Sequence, residues 1–294
     1  MCLSLTLGGC SHAPEHTDEY KYIIGVSLSN VIEPWVKNMV SEIRTAAEND
    51  RTDTNVIFRD AANSPEKQRH DIDQLMDSGI DLLIVVPTMS SGDISSAIGK
   101  VYERIPVIVA GINPGTNSYT SFIRFDDYVI GRTAGKYIIE NDYRDGDSVI
   151  IVGGPDESPI SSERRRGFYD TVKGKIPADK LTYCNGEWLR DKAEDRIKDY
   201  LTKSTGFDIL FAFNDEMAFG AYLAAKQLRV SDAVFIGVDG FSGVDGGRQL
   251  VKEGILEATI SCPGIGSMAM QMAGQIFDGK KVQKDIVIKT ELLH

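Results

Sequence analysis

Basic charge is the first thing this chain is short of. It carries 32 Lys and Arg against 43 Asp and Glu, a formal net charge of −11. A protein that grips a phosphate backbone needs a basic face to release counterions, so nucleic acid is not an expected partner. Cysteine and histidine are scarce, with four of each in 294 residues. Cys2, Cys10, Cys184 and Cys262 form no CxxC pair, and His12, His16, His70 and His294 are not spaced with them as ligand sets. That pattern argues against a metal site. No G-x-G-x-x-G follows the first apolar run, where the chain reads GVSLSN, and neither a P-loop nor a Ser-His-Asp or Cys-His spacing is present. The expectation is a protein that is not an enzyme and has no cofactor. The segment DIVIKTELLH lacks the run of ~20 apolar residues that a membrane helix requires. Tryptophan is rarer still: Trp35 and Trp188 are the only two.

What is present is an ordinary globular composition, 42% hydrophobic and 26% charged, in a chain long enough for two domains. Short apolar runs alternate with helical patterns. Strands are predicted over 22–28, 55–59, 82–86, 107–110, 148–152, 209–213, 234–238 and 258–260, and helices, for example, over 35–49, 65–78 and 130–141. Runs that are apolar throughout suit parallel strands covered on both faces. The fold class predicted is α/β, with two doubly wound, Rossmann-like parallel-sheet domains. The stretch 118–128 reads as an irregular crossover between the halves.

Ligands of open α/β sheets bind outside the carboxyl ends of the strands. Polar residues and glycine gather at those ends, in SLSNVIEPW, VGGPDESPISSERRRGF, FNDEM and VDGFSG. Two such edges facing one another would enclose a cleft. Each residue also has a plainer reading. Asn214 suits a helix N-cap, with Asp215 and Glu216 stabilising the first turn. Asp239 before Gly240 suits a turn, Arg164 can be one of a solvated trio with Arg165 and Arg166, and both tryptophans can be core.

The stretches YIIGVSLSN, EPW, DSGIDLLIVVPT, RIPVIVAG, FDDYVIGRTAGKYI, SSERRRGF, FAFNDEMAFGA, FIGVDGF and GILEATISC occur in this order from about residue 22. Together they resemble the periplasmic sugar-binding proteins of the ribose-binding type, the type I periplasmic binding proteins, whose core is shared by LacI-type repressors. The resemblance implies a three-segment hinge with crossings near residues 125, 261 and 287. The N-terminal domain is then 21–125 plus 262–287, and the C-terminal domain 126–261 plus 288–294. It also implies site roles: Asn214, Asp239 and Arg164 on sugar hydroxyls, Trp188 and Trp35 as aromatic plates, and Glu33 as a polar group of the first domain. Leu7-Gly8-Gly9-Cys10 resembles the lipobox of bacterial lipoproteins, with Cys10 lipidated and residues 1–20 a signal remnant and tether.

The function so implied is an extracytoplasmic, periplasmic solute receptor, anchored to the membrane only through lipid. It closes on a monosaccharide or similar polyol and delivers it to an ABC permease. The alternative is the sugar-sensing periplasmic domain of a two-component or related signalling system, with a membrane sensor protein as partner. The chain departs from the ribose pattern in the first domain. Gly111 and Ile112 stand where an Asp-Arg pair is usual and Val86 where Asn is usual, while Cys262 takes the place of a Gln near the second crossing. Ribose is therefore not named as the ligand, and the first-domain half of the site is expected to be less polar.

Overall fold

The computed structural model describes residues 20–50, 53–89, 91–204 and 206–294. Cys10, its lipobox and the tether other than Tyr20 lie outside the described residues.

The first sheet is built from β1 (Tyr22–Leu28), β2 (Thr54–Asp60), β3 (Leu82–Val85), β4 (Val107–Ala110) and β5 (Ser121–Arg124). Between them run α1 (Pro34–Asn49), α2 (Pro65–Asp77) and α3 (Gly92–Tyr102). The helices begin where local chemistry tells them to. Pro34 takes the first turn of α1, and Ser64 and Ser91 accept the Lys67 and Ile94 amides as N-caps.

The second sheet follows α4 (Asp127–Tyr137) and uses β6 (Val149–Gly153), β7 (Leu181–Asn185), β8 (Ile209–Ala212), β9 (Val234–Asp239) and β10 (Ala258–Ser261). It is interleaved with α5 (Pro159–Val172), α6 (Arg190–Leu201), α7 (Asp215–Gln227) and α8 (Gly247–Lys252). The chain then forms α9 (Ile265–Phe277), β11 (Asp285–Val287) and β12 (Glu291–Leu293).

Strand order is β2-β1-β3-β4-β5-β11 in one sheet and β7-β6-β8-β9-β10-β12 in the other. All pairings are parallel except β10 with β12, which is antiparallel. Both halves therefore repeat one doubly wound order, and each reverses direction beside its first strand, between β1 and β3 and between β6 and β8. The chain passes between sheets after β5, after β10 and after β11. The stretch 118–128, expected as an irregular crossover, does carry the chain from one sheet to the other but is not irregular, since it contains β5 and the start of α4.

The strands read as unbroken apolar runs because both faces are covered. Leu82 and Ile84 face the layer of α1 and α9, while Leu83 and Val85 face that of α2 and α3, and all four are fully buried. A single cluster around Phe168, Phe211 and Phe213 makes the core of the second domain. Among the described residues, no helix is long and apolar enough to cross a membrane.

Candidate functional site

Two glycines position the basic group of the site. A Cβ at Gly131 would lie 1.9 Å from the Arg164 carbonyl oxygen, and one at Gly167 would lie 2.0 Å from that of Tyr128. Helices α4 and α5 thus pack backbone against backbone, and Asp127 on the first turn of α4 reaches Arg164. Arg164 Nε donates to Asp127 Oδ1 at 2.9 Å, and Nη1 donates to the Phe213 carbonyl. Only 6% of Arg164 is exposed, whereas Arg165 and Arg166 pair with Asp156 and Glu163 at the surface. The solvated-trio reading therefore fails for Arg164 alone. Burial lowers its basicity, but Asp127, Cys262 and Asp239 together outweigh that, and the net shift is upward.

Asn214 caps α7. Its Oδ1 accepts from the Met217 amide at 2.8 Å, and its Nδ2 donates to the Trp188 carbonyl at 3.0 Å. That second bond holds a residue of left-handed backbone, since Trp188 has φ +64 after Glu187 at +54. The Trp188 indole lies against Gly154 at the end of β6 and 5.8 Å from the Arg164 guanidinium. It is 9% exposed and packs with the second-domain core.

Asp239 ends β9 with φ +113, an unusual conformation for a residue with a side chain. It is buried, and its carbonyl accepts from the Cys262 amide at 2.9 Å. Its carboxylate makes no side-chain hydrogen bond among the described residues. Burial, reinforced by the charge of Asp215, pushes that carboxyl well above the usual range, while Arg164 opposes the shift. Burial also raises the Cys262 thiol.

Asp215 stands on the first turn of α7 as expected, but it also turns inward: it is buried, accepting from Thr259 Oγ1 at 2.6 Å and from the Gly240 amide at 2.7 Å. Gly237 and Gly247 leave the room, since a Cβ at either would meet its carboxylate at 2.1 or 2.0 Å. Burial lifts its carboxyl to about 7. Asp215 thus ties α7 to β10 and to the turn after Asp239, whereas Glu216 pairs outward with Arg190 at 2.6 Å.

In the first domain, Glu33 precedes α1 and accepts from the Trp35 indole Nε1 at 3.0 Å. Burial raises the Glu33 carboxyl, and the indole N–H partly offsets that. The far edge of the half-buried Trp35 ring lies against Gly111 after β4. Ser29 Oγ and Thr88 Oγ1, just past the ends of β1 and β3, are buried without a hydrogen-bond partner. These strands flank the reversal point of the first sheet, where open α/β sheets take ligands. Position beyond a parallel strand was the only signal in the sequence that singled out these two hydroxyls.

The structure therefore brings Arg164, Trp188, Asn214 and Asp239 together in one cluster and Glu33 with Trp35 in another. Among the described residues, no hydrogen bond joins the two groups. Sequence reasoning missed Asp127 and the inward role of Asp215. Chemically the cluster offers a partnerless carboxylate, a guanidinium with two of its five N–H groups engaged, and apolar indole surface. That combination suits a neutral polyol with C–H faces. Among the described residues, no group of three or more His, Cys, Asp or Glu is placed to hold a metal ion.

The family model described as periplasmic binding protein domain matches residues 24–281. The chain is 28% identical over 276 residues to the ribose import binding protein of Salmonella typhimurium, covering 93% of this chain and 90% of that protein. It is also 28% identical over 269 residues to the ribose import binding protein of Bacillus subtilis, covering 90% of this chain and 85% of that one. Among solved structures, the fructose-binding periplasmic domain of a hybrid two-component system superposes with a TM-score of 0.79 at 29% identity, covering 92% of this chain and 90% of that one. The Caulobacter myo-inositol binding protein superposes at 0.79 with 24% identity, covering 92% and 93%. The repeated strand order, the two strand-end clusters and a family match along most of the chain have one meaning: the protein belongs to the periplasmic binding proteins, in their type I, ribose-binding form.

Proposed function

We propose that this protein is a non-enzymatic periplasmic receptor that closes on one small sugar or cyclitol and delivers it to an ABC permease. The observation carrying the reading is Asp239, a buried residue whose carboxylate has no hydrogen-bond donor among the described residues and stands beside Arg164, Trp188 and Asn214. A carboxylate free of protein donors keeps its acceptor positions for ligand hydroxyls, and hydrogen bonds to an ionised group are among the stronger ones. Asp239, Asn214 and Arg164 then bind hydroxyls, Trp188 and Trp35 cover the C–H faces, and Glu33 accepts from a hydroxyl at the indole edge. The names of the ribose import relatives support transport.

A second reading, a sugar-sensing domain of a signalling system, draws support from the 29% identity with the fructose-binding domain. Thermal-shift screening with D-ribose, D-fructose and myo-inositol tests the receptor itself, because a ligand of the folded state raises its stability by mass action. No shift with these or other monosaccharides would reject it. A deletion strain separates the two readings: loss of labelled-sugar uptake supports transport, and loss of sugar-induced transcription with uptake intact supports sensing. Anchoring through Cys10 rests on the lipobox, and Cys10→Ser is expected to move the protein from membranes to the soluble fraction.

A further inference from the structure

Each indole of the site rests on a glycine that ends a strand. Gly111 follows β4, and a Cβ there would stand 2.7 Å from Trp35 Cη2 and 3.2 Å from Cζ3. Gly154 follows β6, and a Cβ there would stand 2.0 Å from Trp188 Cε2 and 2.3 Å from Cζ2. Real Cβ atoms essentially never approach within 3.0 Å, so each ring occupies space that exists only because a side chain is missing. The Trp35 ring is also held at its indole N–H, from which Glu33 accepts, while Asn214 fixes the Trp188 backbone through its carbonyl. A side chain at either glycine would therefore displace the ring from the strand end.

We propose that Gly111 and Gly154 are specificity-determining residues, which set where the two indole plates stand and so the width of the slot left for a ligand ring. The inference rests on the reading of Trp35 and Trp188 as ligand plates. The ligand class it selects is a single saturated ring with a C–H face on each side, a furanose, pyranose or cyclitol, rather than a linear polyol with no ring to clasp. The two positions differ in a useful way. Gly111 has φ +77, so any side chain there also strains the backbone, whereas Gly154 is outside the left-handed region and tests the steric effect alone.

The experiment is a pair of double-mutant cycles, Gly154→Ala with Trp188→Ala and Gly111→Ala with Trp35→Ala, read on the intact chain. Gly111→Asn serves as the control for strain, because Asn tolerates left-handed backbone better than Ala. The first readout needs no ligand: each glycine variant is expected to shift the emission or near-ultraviolet dichroism of the neighbouring tryptophan. The second is the affinity for D-ribose, D-fructose and myo-inositol. Gly154→Ala is expected to change the ratio of affinities by tenfold or more, and to have less than a twofold effect once Trp188 is alanine. Glycine variants that leave both spectra and affinity ratios as in wild type overturn the proposal. So does a glycine effect that persists undiminished in the Trp→Ala background. If the Trp→Ala variants themselves bind every ligand as wild type does, the plates are not ligand contacts and the underlying reading fails. Weakened binding in those variants with no response to the glycines rejects the slot inference alone.

Discussion

Asn214 donates from Nδ2 to the carbonyl of Trp188 at 3.0 Å, and this one bond links a helix cap to an aromatic wall. The same side chain accepts the Met217 amide at 2.8 Å, so its two ends do different work. Asn214→Ala is expected to cost about 1 kcal/mol for the lost cap and roughly 1–3 kcal/mol for a buried carbonyl left unpaired. Asn214→Asp keeps the cap acceptor but has no donor for Trp188. Its melting temperature is therefore expected to lie between those of wild type and the alanine variant, with tryptophan emission altered in both. Equal spectra for Asn214→Asp and wild type would show that the Trp188 carbonyl needs no tether.

Stability against pH follows from the buried carboxylates. Asp215 titrates at about 7 in the folded chain, and Asp239 is also raised, against about 3.9 for an unfolded Asp. Between these values the unfolded chain has lost the proton and the folded one keeps it. Stability therefore falls as pH rises from about 4 towards 7, by up to about 1.4 kcal/mol per pH unit for each such group, and is flat below that window. Chemical denaturation of the ligand-free protein at pH 5, 6 and 7 checks the sign, and a midpoint that rises with pH contradicts it. Ligand hydroxyls donating to Asp239 favour its ionised form, so binding is expected to release protons and to tighten with rising pH. Calorimetry in two buffers of different ionisation enthalpy measures that release.

Much of the architecture is legible in the sequence, for a physical reason. Strands covered on both faces carry apolar residues at every position, so runs such as 82–86 and 209–213 stand out from their polar surroundings. β5 does not, because Ser121–Arg124 has only Phe122 and Ile123 as apolar residues, between a serine and a charge. Arg164 cannot be told from Arg165 by composition. What separates them is the backbone contact that Gly131 and Gly167 allow between α4 and α5, which no local pattern announces. Asp215 is a similar case. An acid on a first turn reads as a partner of the helix end, and only the space left by Gly237 and Gly247, both more than twenty residues away, turns it inward.

Closure of the two domains is expected on ligand binding, about the three crossings placed at residues 125, 261 and 287. The second crossing is firmly seated on its first-domain side, where Glu42 Oε2 accepts from the Gly266 and Ser267 amides at 2.8 and 3.3 Å at the start of α9. Rotation is therefore expected to concentrate at Cys262, Pro263 and Gly264, which has φ +66. Small-angle scattering with a saturating ligand from the thermal-shift panel should give a smaller radius of gyration than without it. Superimposable curves would rule closure out.

Asp239 is expected to be the single most costly residue of the site to remove. The residue is 5% exposed on a left-handed backbone, and its carboxylate has no hydrogen-bond donor among the described residues, with Arg164 close enough to oppose its protonation. Ionised, it accepts from two adjacent hydroxyls, and hydrogen bonds to charged groups contribute roughly 1.5–3 kcal/mol each. Losing two weakens binding by about a hundredfold or more, since 1.4 kcal/mol is a factor of ten. Asp239→Ala removes both acceptors and one carboxyl group that burial disfavours in its charged form. It is therefore expected to be no less stable than wild type at pH 7, while binding its ligand at least a hundredfold more weakly. Asp239→Asn keeps one acceptor and loses the charge, so its affinity should fall between the two. Because Trp35 and Trp188 are the only tryptophans, a fluorescence titration reports on the proposed plates directly. Binding by Asp239→Ala within threefold of wild type would remove Asp239 from the site.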